Sequence, residues 1–95
     1  MITNNLMIKL KERRPESIAA AKDKLLSMQG KMEYIRDLRV ETDIRSGAYD
    51  LMLIVQYETM GDLEAYLVHP VHVEVSGYID GVLECAASFC YESES

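Results

Sequence analysis

Residues 49–58 read YDLMLIVQYE, and they constrain the fold more than any other stretch of the chain. Leu51, Leu53, Val55 and Tyr57 alternate, as they must in a strand with one face in a core. Met52 and Ile54 make the middle of the other face apolar as well. A sheet with helices on one side normally turns a polar face to water on the other. This strand therefore needs cover on both faces, and two such sheets packed face to face would supply it. Composition points the same way. Of 95 residues, 48% are hydrophobic, and a chain this short buries too little surface alone to hide them all. The expected partner is a second copy of the chain, with Met52 and Ile54 in the dimer interface.

The remaining periodicities place this strand in a single domain spanning residues 1–95. Residues 4–11 alternate as a first strand, with Asn4, Leu6, Ile8 and Leu10 on one face. Pro15 then suits the first helical position, where its missing N–H costs nothing. Ile18, Ala21, Leu25 and Met28 recur at helical spacing, and Gly30 is a stop signal. Residues 35–42 form a second strand, with Leu38 and Val40 facing one way and Asp37, Arg39 and Glu41 the other. Residues 43–48 are a polar connection to the third strand, and Asp50 beside it is placed to bond the turn backbone. Thr59 is a helix N-cap three residues before Asp62. That helix carries Leu63, Tyr66 and Leu67 and breaks at Pro70, because proline disfavours helical geometry at the residue before it. A second segment restarts at Pro70, with Val71, Val75, Tyr78 and Val82 as its buried stripe. Residues 85–92 make the last strand, and the polar tail at 93–95 is expected to fray. The order strand, helix, strand, strand, helix, strand predicts an α+β, ferredoxin-like βαββαβ antiparallel sheet with helices on one face.

Charge and composition exclude several functions. A formal net charge of −6 opposes nucleic acid, which needs a basic footprint, and opposes an anionic membrane surface. No apolar run is long enough to span a bilayer, and residues 1–10 lack signal-peptide features, so the cytoplasm is the expected compartment. Cys85 and Cys90 are an odd number of residues apart, which places them on opposite faces of a strand and beyond disulfide reach. They are expected to be free thiols buried in the apolar interior. Neither cysteine spacing nor histidine placement makes a zinc site. Asp43, Asp50 and Asp62 follow no calcium-loop pattern, so no metal or cofactor is expected. Arg13 and Arg14 belong to a solvated loop and could rim a cleft to meet an anion.

Both histidines of the chain fall in AYLVHPVH, residues 65–72. His69 precedes Pro70 and is expected to shape the kink, whereas His72 lies just inside the second helical segment beside its apolar stripe. Imidazole titrates near neutrality, so His72 is a candidate general base. Tyr66 is a candidate donor to a developing enolate oxygen or an orienter of the ring. The competing reading has His72 bonding a backbone group at the kink with Tyr66 packed beneath it.

With KLK at residues 9–11 and SGAYDL at 46–51, this motif resembles the stress-responsive A/B barrel domain family. The resemblance implies a homodimer whose two sheets pack into a dimeric α/β barrel, each subunit keeping a cleft between its own sheet and helices. A plant member of the family is a cofactor-independent polyketide cyclase, and its working histidine and tyrosine match His72 and Tyr66. Two further histidines of that enzyme are matched by Asn4 and Leu51 here, so half of its polar constellation is missing. The expected cleft is lined by Asn4, Leu51, Leu53, Val55, Val73 and Val75 and suits a small apolar molecule. The expected function is binding of such a molecule. The alternatives are a cofactor-independent lyase or cyclase acting on an enolisable ketone, and a structural assembly subunit. A deep cleft floored by His72 and Tyr66 favours a binder or an enzyme. A cleft filled by its own side chains favours the structural role.

Overall fold

The computed structural model describes residues 1–93. The elements are β1 (Ile2–Leu10), α1 (Pro15–Leu26), β2 (Ile35–Thr42), β3 (Leu51–Tyr57), α2 (Met60–Val68), α3 (Pro70–Val82) and β4 (Leu83–Glu92). The strands form one sheet in the order β2-β3-β1-β4, with every neighbouring pair antiparallel. This is the expected ferredoxin-like βαββαβ arrangement. No helix among the described residues is long and apolar enough to cross a membrane.

Register sets the two faces of the sheet. Leu53 pairs with Leu6 and with Val40, and Val55 pairs with Asn4 and with Leu38. These residues share the helix side with Ile8, Leu51 and Tyr57. There they join Ala21, Leu25, Met28, Leu63, Tyr66, Val75 and Ile79 in one core. The stripe of α3 differs from expectation in one residue. Ile79 is buried, while Tyr78 is partly exposed and lies beneath the Lys24 ammonium, 5.7 Å from the ring centroid. Tyr78 thus faces the seam between α1 and α3 rather than the sheet.

Local chemistry fixes the element ends. Pro15 opens α1, and Gly30 closes the following turn at φ 75°, where a side chain would strain the backbone. Thr59 Oγ1 accepts from the Asp62 N–H at 3.1 Å, the expected cap of α2. β1 and β4 each begin two residues earlier than the alternation suggested, because Ile2 finds partners in Tyr57 and Glu92, and Leu10 pairs with Leu83. β3 begins later, at Leu51, although the Asp50 N–H still donates to the Ile8 carbonyl at 2.8 Å. The buried Asp50 carboxylate accepts from the Leu10 N–H at 2.9 Å and from Arg13 Nε at 2.9 Å. Asp50 therefore ties β1 and the following loop together; its backbone carbonyl bonds its own turn, accepting from the Asp43 N–H at 3.0 Å, but its carboxylate does not cap that turn. The Asp43 carboxylate does, accepting from the N–H groups of Arg45 and Gly47. These bonds hold its carboxyl below the ordinary range. Ser93 is not frayed: its N–H donates to Met1 O at 2.7 Å, and its hydroxyl lies 2.8 Å from that of Thr3. Residues 94–95 of the expected frayed tail lie outside the described residues.

The cysteines correct an expectation. Both are free, as anticipated, but both are exposed. Cys85 pairs with Lys9 and Cys90 with Asn4, so they do point to opposite faces. β4 is an edge strand, however, and the helices leave its helix-side face bare. The open face is equally uncovered in a single chain, so neither thiol is buried.

Candidate functional site

The site is built where α2 meets α3. His69 has extended backbone and serves both helices, as C-cap of α2 and N-cap of α3. Its Nδ1 accepts from the Val71 N–H at 3.1 Å, and its ring meets Tyr34 edge-on at 6.1 Å. His69 is thus spent on the kink.

The kink folds the start of α3 back on α2 and brings His72 onto Tyr66, with ring centroids 4.4 Å apart. His72 Nδ1 lies 3.1 Å from the Leu67 carbonyl oxygen. A carbonyl can only accept, so Nδ1 carries the proton, and the lone pair of a neutral ring is on Nε2. Nε2 has no hydrogen-bond partner among the described residues. Partial burial holds the His72 pKa below its ordinary value, against a smaller upward pull from the Leu67 carbonyl. The neutral, basic form is therefore favoured. The backbone bond and the packed tyrosine are the features a structural histidine would show. They are equally what orients a base.

Tyr66 is only 3% exposed. Its ring lies 5.4 Å from that of Tyr57, and its hydroxyl donates to Met28 Sδ at 3.7 Å, a weak acceptor. Burial raises the Tyr66 pKa to about 12. Tyr57 is fully buried, and its hydroxyl has no hydrogen-bond partner. The two hydroxyls influence each other but do not meet in bonding geometry. Burial, with the neighbouring Tyr66 and Cys90, drives the Tyr57 pKa strongly upward. An unsatisfied buried hydroxyl costs about 1–3 kcal/mol, so Tyr57 is an unusual member of a core. The sequence shows Tyr57 only as one more apolar-face residue of β3. Its aromatic hydroxyl on a buried strand face is the one signal that could have set it apart.

The residues expected to line the cleft separate into three groups. Leu51, Leu53, Val55 and Val75 are core residues, buried against the helices' own side chains. Val73 is exposed, because one residue beyond His72 a helix has turned by about 100°. Asn4 is half-buried on the helix side of β1, between Val55 and Cys90. Its amide makes no side-chain hydrogen bond to another described residue. A continuous line therefore runs from Cys90 and Asn4 at the bare β4 edge, past Tyr57 and Tyr66, to His72. Its two ends reach solvent, while Tyr57 and Tyr66 between them are buried. Surface cavities lie elsewhere: about 440 and 410 Å3 along the seam of α1 and α3, and about 360 Å3 beside Met7, Tyr49 and Met52 on the open face. Arg13 is held by Asp50 at the far end of β1, away from this line. Arg14 pairs with Glu12 at 3.7 Å.

On the open face, Met52 is half-buried and Ile54 is 8% exposed even in a single chain. Beyond them Phe89 and Tyr91, which the sequence reading passed over, stand out from β4 with ring centroids 5.8 Å apart. Phe89 is 67% exposed.

Comparison with known proteins gives a family and a fold. The family model described as Stress responsive A/B Barrel Domain matches residues 2–94. A dimeric protein of unknown function with a ferredoxin-like fold from Bacteroides fragilis is 20% identical, with TM-score 0.83, covering 97% of this chain and 95% of its own. An Arabidopsis thaliana protein is 20% identical, with TM-score 0.84, covering 100% and 97%. A hydroxynitrile lyase from Passiflora edulis is 12% identical, with TM-score 0.83, covering 99% and 94%. No curated protein matches the sequence.

Proposed function

This chain belongs to the stress-responsive A/B barrel domain family, and from that premise we propose that it is a homodimer that takes up a small, largely apolar molecule beside His72. The observation that carries the reading is the Nδ1 bond from His72 to the Leu67 carbonyl. It leaves Nε2 as a free acceptor at a half-buried, ring-lined position, where one hydrogen bond would orient an otherwise apolar ligand. Leu6, partly buried on the same face as Asn4, adds apolar floor. The dimer is supported by the open sheet face, where Met52, Ile54, Phe89 and Tyr91 form a patch that a second copy would cover. It is supported also by the Bacteroides neighbour, which is described as dimeric. The exposed free thiols suit a reducing compartment such as the cytoplasm.

The fixed tautomer also favours a second reading, a cofactor-independent lyase or cyclase. Nε2 of His72 would take the α-proton of an enolisable ketone, the C–H electron pair would form the Cα=C bond, and the carbonyl π pair would move onto the oxygen as an enolate. The Passiflora neighbour is a lyase, so this fold can host such chemistry, although fold alone assigns none. The filled interior beneath Tyr66 favours the third reading, a structural subunit with no ligand.

Ligand-observed NMR with a panel of neutral apolar fragments separates these readings. Binding is expected to weaken at least about fivefold in His72→Ala, the loss of one hydrogen bond. Fragments that bind both proteins equally, or none that bind, would overturn the reading. If a ketone turns over, His72→Ala should slow it at least about 100-fold.

A further inference from the structure

We propose that Tyr57 and Tyr66 together form a donor pair for the oxygen of a carbonyl-containing ligand, so that Tyr57 is a binding residue of the site and not only a core residue. The inference rests on the binding reading above and names the ligand's chemistry: a neutral molecule with an apolar body and an accessible carbonyl.

The argument is a count of donors and acceptors. Two phenolic hydroxyls lie side by side in the interior, their rings 5.4 Å apart. One donates only to a thioether sulfur, and the other to nothing. Buried hydroxyls ordinarily find an oxygen or nitrogen partner. Each hydroxyl has a proton to donate and no oxygen or nitrogen acceptor for it, which a carbonyl oxygen with its two lone pairs would supply. On the far side of Tyr66, His72 presents the opposite function, an acceptor at Nε2. A ligand whose carbonyl meets the tyrosines and whose adjacent O–H or C–H meets the imidazole would satisfy all three groups.

Both tyrosines are buried, so access requires neighbouring side chains to move. Only one oxygen atom must reach the hydroxyls. Directly across β1 from Tyr57 is the buried Ile2, and on the diagonal toward the sheet edge stand Asn4 and, beyond it, Cys90. Asn4 is half-buried and Cys90 exposed, so both can shift toward solvent. The line holds no lysine or arginine and its His72 favours the neutral form, so a carboxylate would enter without a countercharge, and a neutral carbonyl is the better fit.

The test compares wild type with Tyr57→Phe, using acetophenone, the isosteric hydrocarbon isopropylbenzene, and benzoate as probes. Acetophenone is expected to bind wild type about five- to tenfold more tightly than Tyr57→Phe, the effect of one hydrogen bond. Isopropylbenzene should bind both proteins alike, and benzoate neither. The carbonyl stretch of bound acetophenone should move to lower wavenumber in wild type and return toward its free value in the variant. Without ligand, Tyr57→Phe should melt at the same temperature as wild type or higher, because it removes an unpaired polar atom from the interior. A variant that binds acetophenone as wild type does, with the same stretch, would overturn the inference. A variant that melts several degrees lower would also overturn it, since the hydroxyl would then have a structural partner. If acetophenone binding is lost in His72→Ala and unchanged in Tyr57→Phe, the donor pair fails while the binding reading stands. If no probe binds, both fail.

Discussion

β3 and β4 are both apolar strands, yet they have opposite fates. Leu51, Leu53, Val55 and Tyr57 of β3 are all buried, whereas no residue of β4 is. Position in the sheet accounts for the difference. β3 lies between β2 and β1 under the helices, while β4 is an edge strand with both faces bare in a single chain. The lesson is that apolar composition states a demand for cover without saying who meets it. On the helix side the chain meets that demand itself along β3. On the open face, and along β4 especially, one chain leaves it unmet, and the proposed second copy would meet it.

The sharpest way to break this contrast is to place a charge on each strand in turn. Ile54→Asp puts a carboxylate at a position already buried in one chain, so it should cost about 3 kcal/mol or more and unfold the protein or sharply lower its urea midpoint. Phe89→Asp alters a side chain that one chain leaves exposed. It should leave a folded monomer, seen by sedimentation with native circular dichroism. A Phe89→Asp protein that stays dimeric would remove β4 from the interface.

A subtler contrast lies within β4. Cys85 shares the open face with Phe89, and Cys90 shares the helix side with Asn4. In a dimer joined through the open faces, a maleimide reagent should label Cys90 quickly and Cys85 slowly. Dilution below the dissociation constant should equalise the rates. Equal rates at high concentration would contradict the assignment of faces.

The smallest effect concerns His72. Its folded pKa lies below the ordinary 6.5, so the unfolded chain binds the proton more readily. The neutral ring's contribution to stability is therefore intact above about pH 6.5 and is lost as pH falls through the folded value. His72→Asn should flatten the fall in melting temperature between about pH 7 and 5. An unchanged slope would show that burial does not hold the ring neutral.

Much of this was legible in the sequence, for reasons that differ by residue. Alternation placed β3 and its two apolar faces, because period 2 is a direct consequence of strand geometry. Pro70 dictated the break that sets His72 on Tyr66, and Thr59 marked its cap. Other features depend on partners distant in sequence. Asp50 reaches Leu10 and Arg13, contacts that no local pattern encodes. The exposure of Cys85 and Cys90 follows from strand order, which their own segment does not reveal. The solvent face of Val73 was readable from helical phase. The unpaired hydroxyl of Tyr57 was not, since a tyrosine on a core strand looks like any other apolar residue until its partners are counted.

The claim that joins these observations is that the open sheet face is the inner face of a homodimer. Sedimentation equilibrium of the wild-type chain at micromolar concentration tests it most directly. The structure predicts the mass of two chains, and the mass of one chain would contradict it.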